Sequence, residues 1–245
     1  MGPPVFFASR ALLLGGSPVW LDGSEGRHAA LVRRLGAGER ALLTDGAGAM
    51  ADCVVQRAER ERLLLDVVDV RIDPPPTPRM LVVQALVKGE RGEQAVETLT
   101  EVGVDVVVPW SAQRSVARWR EARGERALQR WRTTAAEAAK QARRTWWPEV
   151  TPVASTADVA ALMGRCALAV VLHEEALLPL ADVAPPDAGD VVLVVGPEGG
   201  VAPDELATLE AAGALTRRMG PTVLRTSTAG TVAAAVLLSR SRRWA

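Results

Sequence analysis

"VVLVVGPEGGVAPDELATLEAAG", residues 191–213, decides the fold. An apolar β-branched run stops at Gly196, Pro197, Glu198, Gly199 and Gly200, and an acidic, amphipathic stretch follows. A strand, a glycine-rich turn and a helix form the βα unit of an α/β sheet, and such turns often cradle a ligand. This one lacks the Lys and Ser/Thr of a phosphate-binding P-loop. It also lacks the G-x-G-x-x-G of a dinucleotide site and carries a carboxylate in the turn. Glu198 would repel a pyrophosphate and suits hydroxyls, amines or positive charge. The plain alternative is a tight connection that needs glycine only for its backbone.

Working outward, further apolar runs at 80–86, 104–110 and 167–173 alternate with helical stretches. Continuous apolar runs mark strands buried on both faces, which predicts a mostly parallel sheet after residue 79. A helix over 125–144 places Leu128, Trp131, Ala135, Ala138 and Ala142 on one face, with Arg126, Arg130, Glu137, Gln141 and Arg144 on another. Near the end, "TSTAGT" offers N-cap residues for an alanine-rich helix over 228–238. "DPPPTP" (73–78) has four prolines in six residues and reads as a stiff linker. Before it lie short β-rich runs at 39–46, 50–58 and 62–70 and one helix over 24–35 with Ser24 as N-cap candidate. The expected division is a small β-barrel over 1–73, a linker over 74–78 and an α/β domain over 79–245.

Composition bounds the function. Hydrophobic residues make up 48% and charged residues 24%, the balance of a soluble globular chain. Cys53 and Cys166 lie far apart without metal-type spacing, so no metal is expected and two free thiols in a reducing cytosol are. No signal peptide is recognisable, and no apolar run reaches the ~18 residues that span a bilayer. A cytoplasmic protein with no membrane partner is expected. Net charge is zero but uneven: residues 111–145 carry ten basic and three acidic side chains, and residues 214–245 six arginines and no acid. Such basic segments favour a nucleic acid or another polyanion over plain solvated faces, because like charges this dense repel one another without a partner.

Several stretches together resemble one family. "VVGPEGG" (194–200) and "MGPTVLRTSTA" (219–229) are similar to the cofactor-binding end of the SPOUT methyltransferases, which bind S-adenosylmethionine in a deep C-terminal trefoil knot. Within them the match is to the RsmE family of 16S ribosomal RNA (uracil-N3)-methyltransferases. "KGERGEQAVETLTEVGVDVVVPWSAQRSV" (88–116), "EAAKQARRTWWPEV" (137–150) and "RHAALVRRLGAGERALLTDGAG" (27–48) resemble other parts of that family, the last its PUA-like barrel. The resemblance covers nearly the whole chain. It implies a PUA-like β-barrel that binds RNA, joined to an α/β SPOUT domain with a parallel sheet and a trefoil knot. It also implies a homodimer acting on 16S rRNA in the small ribosomal subunit, at the uridine numbered 1498.

The same resemblance places the cofactor among Leu172, His173 and Glu174; Val195, Gly196, Pro197, Glu198, Gly199 and Gly200; and Met219, Gly220, Pro221, Val223, Leu224 and Thr226. Arg225 is the candidate to stabilise the developing uracil anion, and Glu198 is a weaker catalytic candidate. Arg10, Arg27, His28, Arg33, Arg34, Arg114, Arg143 and Arg144 are candidates for RNA contacts. One departure stands out. The family reads Leu-Arg-x-Glu-Thr-Ala, and this chain has Ser227 where the Glu belongs. No general base emerges from these motifs. The rival readings are a SPOUT enzyme for another RNA site and an RNA-binding protein without catalysis; a nucleotide-dependent oxidoreductase lacks its motif.

Overall fold

The computed structural model describes residues 2–244. Contacts divide them into two units: the chain up to Pro75 together with Ala139–Trp147, and Pro76–Ala138 together with Pro148 onward.

The first unit contains β1 (Val5–Phe7), α1 (Arg10–Leu14), β2 (Val19–Leu21), α2 (Gly23–Arg27), β3 (Arg40–Thr44), β4 (Ala49–Glu59) and β5 (Arg62–Ile72). They form a curled five-stranded sheet in the order β1-β3-β4-β5-β2. The long β4–β5 hairpin shifts register at Asp52/Cys53 and again at Val55/Arg57. Such bulges increase local twist and curl a sheet on itself. Phe6, Leu13, Leu43, Leu63 and Leu65 fill its inner face. Cys53 is buried there, and burial, with Asp52 beside it, pushes its thiol up to about 12.

The helix expected over 24–35 forms differently. Asp22, not Ser24, is the N-cap, because Gly23 takes a left-handed φ of 62° and turns the chain so that the helix is capped two residues earlier. From His28 to Val32 the turn widens to π-type, with the Arg33 N–H on the His28 carbonyl at 2.9 Å. Residues 139–147 close this unit. Lys140 donates to Glu25 at 3.0 Å, and the Trp146 indole donates to the Asp73 carbonyl at 3.0 Å. Trp147 lies over Gly46, where a Cβ would stand 2.8 Å from the ring.

The second unit contains β6 (Arg79–Ala85), α3 (Arg91–Val102), β7 (Val106–Trp110), α4 (Glu121–Gln141), β8 (Glu149–Val150), α5 (Thr156–Met163), β9 (Leu168–Leu172), β10 (Asp190–Val195), α6 (Pro203–Ala211), β11 (Leu215–Arg217) and α7 (Thr226–Leu238). Its six strands are all parallel, in the order β11-β9-β10-β6-β7-β8. The chain is therefore α/β. Alternate residues of β6 and β10 serve two cores. Met80, Val82, Leu193 and Val195 face α3 and α7, while Leu81, Val83, Val192 and Val194 join residues of α5 and α6. That is why these strands read as unbroken apolar runs.

Two expectations for the helices need correction. Ala142 was expected on the apolar face of α4, but α4 ends at Gln141 and Ala142 is exposed beyond it. The N-cap of α7 is Arg225, not a residue of "TSTAGT", and its side chain makes no capping bond. Helix α7 packs closely because it is small: a Cβ on Gly230 would lie 3.2 Å from both Leu99 and Val195. After it, Arg243 reaches back to the start of β7. It pairs with the Asp105 carboxylate at 2.5 and 3.2 Å and donates to the carbonyls of Gly103 and Pro78. Among the described residues no helix is long and apolar enough to cross a membrane, and no group of side chains is arranged to hold a metal.

Candidate functional site

Three connections meet at the carboxyl ends of β9, β10 and β11, where parallel sheets place their ligands. After β10 the turn 196–200 closes with the Gly200 N–H on the Pro197 carbonyl at 2.9 Å. Gly200 needs its left-handed φ of 71°, and a Cβ on Gly196 would meet the Val201 side chain at 2.9 Å. After β9 the His173 N–H bonds to the Arg217 carbonyl at 2.9 Å. The ring Nδ1 of His173 accepts from the Glu175 N–H at 3.2 Å, so a backbone partner holds the imidazole. After β11 the chain runs from Arg218 through an irregular segment into α7.

These segments enclose a cavity of about 340 Å³. Leu172, His173 and Glu174 contribute from β9, and Val195, Gly196, Pro197, Glu198 and Gly200 from β10. Met219, Gly220, Pro221, Val223, Leu224, Arg225 and Thr226 line the remaining side. Gly199 alone among the expected residues stands off the cavity. It faces Arg114, whose guanidinium donates to the Gly199 carbonyl at 3.1 Å. The cavity suits a small amphipathic ligand: its size falls in the range of small-molecule sites, and apolar walls alternate with backbone brought near by glycine.

The structure adds residues beyond those expected at the cofactor. Arg91, at the start of α3, lines the cavity and stands 3.6 Å from Glu198. Arg218, Thr222, Val201 and Ala229 also line it, as does Ser227, which is 4% exposed. Buried Glu205 of α6 fixes the neighbouring loop by accepting from the Gln113 N–H at 3.0 Å and the Thr156 hydroxyl at 2.7 Å. That bond sets the position of Arg114, and so of the turn that Arg114 holds.

The RNA candidates divide between the units. Arg10, Arg27, His28, Arg33, Arg34, Arg143 and Arg144 lie in the first, and Arg114 in the second. Arg10 is 3.6 Å from Asp45, and Arg27 is 3.4 Å from Glu61. His28 stands edge-on to Phe6 with ring centroids 5.9 Å apart. Arg33, Arg34 and Arg143 are exposed, and Arg144 is half-buried.

The chain is similar to known proteins over most of its length. Residues 74–238 match the family described as RNA methyltransferase domain, and residues 21–68 match the RNA methyltransferase PUA domain. The chain is 47% identical over 233 residues to ribosomal RNA small subunit methyltransferase E of Mycobacterium bovis, covering 94% of this chain and 89% of that one. It is 26% identical over 217 residues to the protein of that name from Bacillus subtilis, covering 85% of each. A solved structure of ribosomal RNA small subunit methyltransferase E from Neisseria gonorrhoeae, bound to S-adenosyl methionine, superposes with a TM-score of 0.84 at 24% identity. It covers 97% of this chain and 98% of that one.

Proposed function

The chain belongs to the RNA methyltransferase family, and from that premise we propose that it methylates N3 of a uridine in 16S rRNA with S-adenosylmethionine. The observation that carries this reading is the single cavity in which the two glycine-bearing loops meet Arg225.

The cofactor supplies an electrophilic methyl on a sulfonium centre. Everything else falls to the residues of the chain. Gly196 and Gly200 let the backbone approach, so that amide N–H and C=O groups reach the cofactor's polar edges. Leu172, Val195, Met219 and Leu224 offer apolar contact. Glu198 suits a ribose hydroxyl or the cationic end. The target imide has a pKa of about 9 to 10, near that of a phenol. Its proton passes to solvent water, and the anion left behind forms readily only beside a fixed positive charge, which Arg225 provides at the cavity wall. N3 lies on the Watson–Crick edge, so the uridine must be unpaired or flipped to enter. The first unit, as a PUA-like module, then holds rRNA rather than reacting with it. The reading includes a homodimer and a knotted path for the segment leading into α7, both of which rest on the family resemblance.

Small ribosomal subunits lacking the modification provide the test. Incubated with the protein and S-adenosylmethionine, they should acquire one cofactor-dependent stop to reverse transcriptase at a uridine, because an N3-methyl blocks pairing. No stop, with cofactor binding intact, would sink the N3 assignment and point to ribose methylation or to loss of activity through Ser227.

A further inference from the structure

Three arginines rim the cavity, and one of them caps a helix where arginine is a poor choice. Arg91 is the first residue of α3, and Arg225 is the N-cap of α7. Helix starts favour Asp, Glu, Ser or Asn, because the free N–H groups and the dipole place partial positive charge there. Helix α3 keeps this rule, with Glu90 as its N-cap and Glu93 in its first turn, whereas α7 opens on Arg225 with no acid in its first turn, an exception placed at the cavity that points to a demand from function rather than from folding. The third, Arg218, follows the edge strand β11. All three are exposed. Arg91 leans on Glu198, whereas Arg218 and Arg225 have no carboxylate partner among the described residues.

Three guanidiniums offer little to a cofactor whose reacting centre is a cation. They fit an incoming polyanion. Accepting that the protein is an RNA methyltransferase in which Arg225 serves the base, we propose that Arg91 and Arg218 grip backbone phosphates beside the target uridine and hold it over the cavity. A guanidinium is suited to this, since its planar fork binds two phosphate oxygens at once. The grip is independent of base identity, and the cavity beneath does the selecting. The competing role for either arginine is the carboxylate of the cofactor's methionine part.

Filter binding of unmodified small subunits, with S-adenosylhomocysteine present, separates these roles without needing turnover. Arg91→Gln and Arg218→Gln should each weaken subunit binding by about tenfold at low salt. Each should also make the slope of log K against log[KCl] shallower by about 0.7. For Arg218→Gln, affinity for S-adenosylmethionine, measured by calorimetry, should stay within about twofold, and Arg218→Lys should recover part of the loss because its point charge remains. An unchanged salt slope would overturn the proposal. If cofactor affinity then falls, the arginine holds the cofactor carboxylate; if nothing changes, it faces solvent. A wild type that fails to bind subunits would overturn it too. A wild type that binds subunits with the predicted slopes but never methylates them would sink only the methyltransferase reading.

Discussion

Replacing Arg225 by Gln should lower kcat for methyl transfer by about 100-fold while leaving cofactor affinity within about threefold. The expectation follows from where charge develops. As the imide proton leaves N3, negative charge spreads onto the uracil carbonyl oxygens, and the guanidinium is the candidate to meet it. Removing one preorganised donor of this kind costs about 10² to 10³ in rate. The effect should depend on pH with a definite sign. The arginine lowers the pKa of the bound uridine, so the wild-type rate should level off at a lower pH than that of the variant. Arg225→Gln should keep gaining rate towards pH 9.5 or so, where solution ionisation replaces what the protein supplied. Because the side chain makes no bond to its own helix, folding should not suffer. Equal rates and superimposable pH profiles would remove Arg225 from the chemistry.

The largest effect on stability should come from Arg243→Ala. Asp105 is buried, with its carboxylate accepting the Met80 N–H at 2.9 Å and both arms of Arg243. Arg243 also donates to two carbonyls, so the pair is hydrogen-bonded as well as neutralised. Removing the cation alone leaves a buried carboxylate with too little to replace it, a loss of about 3 kcal/mol. For a chain of this size, that lowers Tm by roughly 6 to 12 °C. The double variant Asp105→Asn with Arg243→Met should lose clearly less than Arg243→Ala alone, because no stranded charge remains. A drop of under 1 °C for Arg243→Ala would contradict this account of the site. The contrast with Arg225 is instructive. One arginine follows α7 and ties it down, and the other precedes α7 and serves the cavity.

The strands β6, β7, β9 and β10 were legible because both of their faces are buried, and that burial writes an unbroken apolar run. The glycine turn at 196–200 was legible for a different reason: few residues tolerate its backbone. Strands β8 and β11 were not, since two or three residues cannot establish a period. Arg91 and Arg218 were hidden by their type. In a chain with 27 arginines, nothing local separates a rim residue from a solvated one until the fold brings both to one cavity. Gly199 shows the reverse case. It belongs to the motif, yet its place in the turn sets it against Arg114 instead of the cavity. The start of α2 was misplaced because Asp22 and Gly23 together outcompete Ser24, and only the left-handed φ of Gly23 reveals it.

Titration of the protein with S-adenosylmethionine, beside Gly196→Val, tests the central claim most directly. A Cβ at Gly196 already meets Val201 at 2.9 Å, so two further methyls must displace the turn that lines the cavity. The wild type should bind one cofactor per chain in the micromolar range, and the folded variant should bind at least about 100-fold more weakly. No saturable binding by the wild type, or equal binding by the variant, would mean that this cavity is not the cofactor site.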